Sequence, residues 1–488
     1  MKAEEYDVAV IGAGVSGAST AWCLSKYHLR VALLEKEVDV GFGVSKANSG
    51  IIHGGFHHDV STLKARLEIR GNLMFEKLQY ELGFPFRRNG ILVVAFTPEQ
   101  QETVRRLYRQ GVANGVPRLE LCGRERLLAL EPKLNHDVVG GLYAPNGGTI
   151  EPYRYVFSLV ESACKNGVEL YTNYKVTATV HDNDFWQLTA ADGRAIRARY
   201  AVNAAGLYAD TVSRLFGAED FTITPRKGEE YLLDRNSVAY TNHVLFPVPD
   251  KHSKGVLVIP TVEGTTMVGP TAELLEDKED VGTTAANFRN IFAMVTQMVP
   301  GVSNRDIITA FAGMRPTLPG DDFYVDRSAR VPHLIQAAGI QSPGLTASPA
   351  LGEYIKDLLK KDGLVLTEKT EITVGLPRVR EVRRETPEGI DELYRQNPAY
   401  ANIICRCELI SEGEIVEAIH KGHITLDGIK FYTRAGMGRC QGGFCSYKVM
   451  KIIARETGIP VEEITKRGGA GRLVVGKLEQ VDATRIAG

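Results

Sequence analysis

Four cysteines, Cys405, Cys407, Cys440 and Cys445, fall within 41 residues, whereas the first 400 residues hold only Cys23, Cys122 and Cys164. They form two pairs: Cys405-x-Cys407 and, after a gap of 32 residues, Cys440 and Cys445 with four residues between them. Thiols at this density ligate a metal or an iron–sulfur cluster, or they form disulfides. One segment bears on that choice. Val8 to Leu24 carries no charge, but Gly12, Gly14 and Gly17 interrupt it, no basic run precedes it and no small-residue cleavage site follows. It reads as a buried strand and a helix start rather than an export signal or a membrane span. The expected compartment is therefore the reducing cytoplasm, and the late thiols are read as ligands. Cys23, Cys122 and Cys164 are expected to be inert core residues.

The same glycines carry a second chemistry. "YDVAVIGAGVSGAST" runs from a hydrophobic strand (Tyr6 to Ile11) into a turn and then a helix, with Gly12, Gly14 and Gly17 spaced as G-x-G-x-x-G. The first allows the tight turn, the second lets the backbone approach a pyrophosphate, and the third lets helix pack on strand. The pyrophosphate then sits on the N–H groups of the helix N-terminus. A second strand, "RVALLE", ends at Glu35, whose carboxylate suits ribose hydroxyls and repels a 2′-phosphate. This predicts a dinucleotide without separating FAD from NAD; the bland alternative is a glycine-rich turn with no ligand.

Around the cysteines, Ser411 and Glu414 form a capping-box pattern before "EIVEAIHKG". "SYKVMKIIARETG", directly after Cys445, has apolar residues at helical spacing and ends at Gly458. Cys440 and Cys445 thus flank a helix N-terminus, where the macrodipole favours anionic thiolates. The glycines of "QGGF" offer amides to sulfur.

"GFGVSKANSGIIHGGF" (Gly41 to Phe56) resembles the flavin-contacting loop of the glycerol-3-phosphate dehydrogenase and L-2-hydroxyglutarate oxidase branch of the D-amino-acid-oxidase-like (DAO) flavoproteins. Three further segments follow that family in order. "TNYKVTAT" places Val176 where the family's backbone holds the adenine, and "YAVNAAGLYADTVSRLFG" is similar to its second glycine motif, around Ala205 and Gly206. "FAGMRPTLPGDDFYVDRS" with "LIQAAGIQSPGLTASPALGEYI" resembles its closing flavin motif, with Gly313, Arg315, Gly339, Gly344, Leu345 and Thr346. The resemblance implies a tightly bound FAD and an α/β architecture. A Rossmann-type FAD domain is expected from three separated segments, 1–85, 150–220 and 305–365. A mainly antiparallel-β substrate domain is expected from 86–149 and 221–304. Ser45, Asn48 and Ser49 suit ribityl and phosphate contacts, and amides at the start of "GLTASPALGEYI" suit the N1/O2 edge of a flavin.

The late cysteine spacing resembles the bacterioferritin-associated-ferredoxin-like (BFD) [2Fe-2S] domain, which implies four thiolates on two irons. Zinc is the rival, since all-cysteine sites also hold it, although structural zinc usually prefers two-residue spacers. The small helical cluster domain is expected over 401–470, after a linker at 366–400 that shows little helical or strand periodicity and before a tail at 471–488.

Oxidising a secondary alcohol on a flavin also needs a proton acceptor and an anchor for the substrate's anionic group. His53 in "NSGIIHGG" is the candidate base, because its pKa lies near working pH. Arg315 in "GMRP" is the candidate bidentate clamp on phosphate or carboxylate; Arg226 and Lys227 are weaker candidates. Aerobic glycerol-3-phosphate dehydrogenases carry an Arg-Tyr pair just after the His-Gly-Gly, whereas His57 and His58 stand there in this chain. That departure also suits a hydroxyglutarate-like substrate.

The expected function is an FAD-dependent dehydrogenase for a small anionic secondary alcohol, with sn-glycerol-3-phosphate first. L-2-hydroxyglutarate or another 2-hydroxy acid comes second, and an amino or imino acid third. The [2Fe-2S] cluster would pass electrons singly to an accepting protein subunit, through which peripheral membrane association could arise. The other readings are a zinc-stapled oxidase and a non-catalytic electron relay. With Lys+Arg 58 against Asp+Glu 59, there is no net field to hold nucleic acid.

Overall fold

The computed structural model describes residues 4–235, 240–249, 255–376 and 380–476. Short parts of the expected substrate segment 221–304 and most of the expected tail 471–488 lie outside the described residues. The chain divides into two compact units, residues 1–377 and 378–488. Among the described residues, no helix is long and apolar enough to cross a membrane.

In the first unit, Glu4–Ile11 pairs in parallel with Val31–Leu34 on one side and Ala195–Asn203 on the other. Its residues Val8, Ala9 and Val10 are fully buried without alternation, as a parallel strand covered on both faces requires. Ala195–Asn203 is long enough to fork. Its first half pairs antiparallel with Phe185–Ala190, and its last three residues pair in parallel with Leu334–Ala338. The eight-stranded sheet that results draws on chain segments more than 300 residues apart.

Helix Val15–Leu24 packs against both Gly344–Lys361 and Pro152–Lys165, and Leu63–Leu82 also packs on Gly344–Lys361. Leu63–Leu82 starts where Thr62 Oγ1 accepts from Ala65 N (3.1 Å) and stops at Gly83, in the left-handed region at φ +69°. Gly352 lets the helices approach closely: a Cβ there would lie 2.5 Å from the Ser19 carbonyl oxygen.

A nine-stranded second sheet joins Glu273–Leu274, Thr224–Leu233, Thr266–Gly269, Leu257–Pro260, Val244–Pro247, Ile91–Ala95, Gly140–Ala144 and Glu120–Gly123 in that order, with Ile307–Thr317 as its ninth strand. Its pairs are antiparallel except Val244–Pro247 beside Ile91–Ala95. Ile307–Thr317, expected in the last FAD segment, instead pairs along its length with Thr224–Leu233 of this sheet.

The second unit is mainly helical, with Pro387–Gln396, Glu412–His420, Leu426–Thr433 and Ser446–Thr457 around a small hairpin, Ile403–Cys405 with Ile410–Ser411. The stretch expected to be a linker without helical periodicity therefore contains a helix. Pro387–Gln396 is capped by Thr386, whose side chain accepts from Gly389 N, and carries proline in its first turn. It buries Leu393 fully, and Ile390, Leu393 and Tyr394 stand at helical spacing, a pattern set among charged residues that sequence reading passed over.

Candidate functional site

The first glycine motif is locked by close backbone approaches. Gly12 stands at φ +100°, and a Cβ there would lie 2.6 Å from the Ala204 carbonyl oxygen, so the turn rests directly on the Ala205–Gly206 motif. A Cβ on Gly17 would collide with the Gly12 carbonyl oxygen. Gly14, the N-cap of helix Val15–Leu24, gives it no side-chain cap, and added Cβ atoms on Gly43 and Gly206 would meet nothing within 4 Å. A helix start whose N-cap glycine supplies no side chain, with its first amide on Ser45 Oγ and open space beside Gly43 and Gly206, suits a pyrophosphate. Glu35 is buried at the end of the second strand, accepting from Ala13 N (2.8 Å) and Glu37 N (3.0 Å); burial raises its carboxyl above the usual range. The residues present fit the phosphate and ribose parts of a dinucleotide.

The neighbouring loop folds inward. Ser45 Oγ accepts from Val15 N (2.8 Å), and Asn48 donates to Ser45 O (2.7 Å) and accepts from Gly50 N (2.8 Å). Ser49 donates to the Glu230 carboxylate. These side chains, expected to touch ribityl and phosphate, shape the loop itself. Gly313 backs onto the Ala47 carbonyl, where a Cβ would collide, so the second sheet's long strand abuts the loop. Val176 is buried at the start of Val176–Asp182. Gly339 stands at φ +69° ahead of helix Gly344–Lys361, whose first residues are Gly344, Leu345 and Thr346, again with no side-chain cap.

His53 is buried and doubly tied to that helix start. Its N–H donates to Thr346 Oγ1 (2.9 Å), and its Nε2 lies 3.2 Å from Ser342 Oγ. The ring faces Phe246 at 6.0 Å between centroids. Four buried side chains that sequence reading missed hold the His-Gly-Gly backbone. Asn72 donates to His53 O (2.6 Å), Asn146 to Gly54 O (3.1 Å) and Asn114 to Gly55 O (2.8 Å), and Glu68 accepts from Gly55 N (2.8 Å). Glu68 and Asn72, four residues apart on the buried face of Leu63–Leu82, are the signal that could have revealed them.

Arg315 lies on Ile307–Thr317, directly across from Arg226. It donates to Thr271 O (3.1 Å), and burial pulls its guanidinium down to about 10, against the attraction of Glu230. Glu230, also missed in sequence, is fully buried. One oxygen accepts from Ser49; the other, Oε2, has no hydrogen-bond partner among the described residues. Burial pushes this carboxyl up to about 7. Lys227 is elsewhere, in an ion pair with Asp280 at 3.0 Å. Arg315, Glu230 and Ser49 are thus brought together, and Lys227 is not one of them.

In the second unit the four thiols pair across the sequence pairs. Cys407 Sγ lies 3.6 Å from Cys440 Sγ, and the Cys445 thiol donates to Cys405. That hydrogen bond, with the amides of Gly436 and Glu408, holds Cys405 below the usual thiol range. The amides of Phe444 and Gly442 do the same for Cys440. Gly436 and Gly442, whose amides reach sulfur, stand at positive φ, as do Leu409, Arg434 and Gln441; the amides of Arg434 and Gln441 donate instead to Lys430 O and Gly438 O (both 2.8 Å). A separation of 3.6 Å is close to the ~3.8 Å edge of a sulfur tetrahedron with metal–sulfur bonds of ~2.3 Å. Glu408 beneath the loop is fixed by buried Arg434 at 3.0 Å. The donor set fits an all-thiolate cluster. Cys23 and Cys122 are buried as expected, but Cys164 is exposed at the end of its helix.

Residues 7–358 match the family described as FAD dependent oxidoreductase (DAO), and residues 403–455 match the BFD-like [2Fe-2S] binding domain. The glycerol 3-phosphate dehydrogenase of Caloramator mitchellensis is 41% identical over 466 residues, covering 94% of this chain and 96% of that one. The solved dithionite-reduced L-alpha-glycerophosphate oxidase from Mycoplasma pneumoniae, with FAD bound, aligns at a TM-score of 0.73 and 31% identity, over 77% of this chain and 99% of its own. Human mitochondrial L-2-hydroxyglutarate dehydrogenase is 29% identical over 293 residues, 56% of this chain and 62% of that protein. The chain belongs to the DAO family of FAD-dependent oxidoreductases and carries a BFD-like [2Fe-2S] domain.

Proposed function

We propose that this protein oxidises sn-glycerol-3-phosphate to dihydroxyacetone phosphate and releases the electrons singly to a protein acceptor. The observation that carries the reading is the double attachment of His53 to Ser342 and Thr346, at the start of the helix that resembles the family's flavin-facing segment. Bound FAD supplies an acceptor for the hydride leaving carbon, and the [2Fe-2S] cluster supplies a one-electron outlet. The chain's own residues do the rest. The His53 imidazole takes the hydroxyl proton, a contribution of about 10²–10⁴ in rate, and Ser342 Oγ holds the ring at Nε2. Arg315 holds the substrate's anionic group with its planar fork. Glu230 sits beside Arg315 and, through Ser49, joins the clamp to the loop that carries His53. The Caloramator and Mycoplasma relatives, named for glycerol 3-phosphate and glycerophosphate, support this substrate over 2-hydroxyglutarate.

Anaerobic mixing with glycerol 3-phosphate, L-2-hydroxyglutarate, lactate or amino acids tests the choice. Flavin absorbance should bleach fastest with glycerol 3-phosphate; bleaching by L-2-hydroxyglutarate alone would replace the substrate.

A further inference from the structure

Three large apolar side chains stand in solvent beside the cluster ligands: Phe444 at 83% exposure, Tyr447 at 58% and Leu409 at 52%. Single exposed hydrophobic residues are ordinary on a protein surface. These three are not scattered, since each lies within two residues of a cysteine ligand. Leu409 follows Cys407, Phe444 precedes Cys445, and Tyr447 follows Cys445 on the first turn of Ser446–Thr457. The two segments meet at the sulfur pair: Cys407 Sγ is 3.6 Å from Cys440 Sγ, and the Phe444 amide reaches the Cys440 sulfur. Cys407 is itself exposed, the most open of the four ligands.

The charge on the rim has one sign. Across residues 406–409 and 441–451 the exposed charges are Arg406, Lys448 and Lys451; the one acid, Glu408, is buried against Arg434. Lys451 is held over the Tyr447 ring, its Nζ 5.1 Å from the centroid, so cation and aromatic form one surface. This positive face belongs to a chain that is otherwise neutral, with Lys+Arg 58 and Asp+Glu 59. Local charge on a neutral chain orients an encounter without attracting polyanions generally.

We propose that this rim is the docking face for an acidic one-electron-transfer protein, an aromatic and aliphatic centre ringed by cations. The inference rests on the reading of the cluster as the electron outlet. Each turnover oxidises the alcohol by two electrons and two protons; the protons go to solvent, and two acceptor molecules are reduced by one electron each. A basic rim and exposed rings also suit an anionic membrane. A protein is favoured because these residues adjoin the ligands of a cluster whose Cys407 is exposed, where a partner's redox group can approach.

The test uses the full-length holoenzyme, reduced anaerobically by glycerol 3-phosphate until flavin and cluster signals show that both centres hold electrons. Failure at that stage concerns the function, not the docking face. Oxidised flavodoxin, an acidic protein, is then mixed with it, with basic cytochrome c and neutral benzoquinone as comparisons. The rate to flavodoxin should fall at least about tenfold as ionic strength rises from low to several hundred millimolar. Lys448→Glu combined with Lys451→Glu should lower it by about the same factor, and Phe444→Ala should lower it with cluster content intact. Benzoquinone reduction should not change in the lysine variant. A salt-independent flavodoxin rate, an unaffected lysine variant, or faster transfer to cytochrome c would overturn the proposal. Salt-sensitive binding to phosphatidylglycerol vesicles that the lysine variant abolishes, with no effect on flavodoxin, would reassign the rim to a membrane.

Discussion

The flavin cradle and the thiolate cradle are assembled on different scales of the chain. Gly12 meets Ala204, Ser49 meets Glu230, and His53 meets Thr346, so the flavin side is closed by contacts 181 and 293 residues apart in two of those cases. The thiolate side is closed within Cys405–Cys445, by the amides of Glu408, Gly442 and Phe444 a few residues from the sulfurs they serve and by those of Gly436 and Cys440, which reach Cys405 and Cys407. Long-range closure spreads a site over the whole core, so that one added methyl group disturbs packing and ligand together. Local closure lets a site fail by itself. The two regions should therefore break in different ways.

The largest expected difference comes from ligand loss. Cys405→Ser should abolish the cluster's visible absorbance and EPR signal while FAD content and flavin bleaching by glycerol 3-phosphate stay near wild type. Gly17→Val, which drives side-chain atoms into the Gly12 carbonyl, should by contrast lower FAD content and folded yield together. A Cys405→Ser protein that loses FAD as well would erase the distinction.

His53→Ala should slow anaerobic flavin reduction by about 10²–10⁴, the range for a positioned base, while substrate dissociation constants change little. FAD loss in this variant would instead assign His53 to the scaffold.

Glu230 sharpens the comparison through pH. Its carboxyl titrates near 7 when folded against an ordinary 4.5, so the folded state holds a proton that the unfolded state has released. That contribution to stability is complete below 4.5 and is lost as pH rises to 7, an upper bound of about 3 kcal/mol from ~1.4 kcal/mol per pH unit. Thermal melting of the wild type should therefore lose stability between pH 5 and 7.5 relative to Glu230→Gln. Parallel melting curves for the two proteins would remove Glu230 as a titrating group.

Arg315→Lys should produce the smallest of these effects, raising the substrate KM by about tenfold as a bidentate, charge-assisted contact is lost. An unchanged KM would take Arg315 out of the substrate site.

Legibility follows the same division. The thiolate centre could be read from sequence because its ligands, capping box and glycines are neighbours in the chain; Ser411 and Glu414 cap each other as their spacing predicts. The first glycine motif was readable for the same reason. What escaped was which partner a polar side chain chooses in three dimensions. Ser45 and Asn48 have types that suit a ligand, yet they satisfy backbone within their own loop and its helix. Glu230 reads in sequence as one of two adjacent strand acids, and only the pairing of its strand with Ile307–Thr317 sets it near Arg315. Lys227, its neighbour three positions earlier, was drawn instead to Asp280. The helix Pro387–Gln396 was legible but missed: Thr386 caps it, proline opens it, and Ile390, Leu393 and Tyr394 form one apolar face, yet the set spans only five residues inside a charged stretch.

The most direct measurement is an anaerobic titration of the full-length holoenzyme with glycerol 3-phosphate, followed by absorbance and by EPR at each addition. Substrate alone should bleach the flavin and then produce the reduced-cluster EPR signal, and Cys405→Ser should show the bleaching without the signal. A flavin that glycerol 3-phosphate leaves oxidised, or a cluster reducible by dithionite but never by substrate, would contradict this expectation.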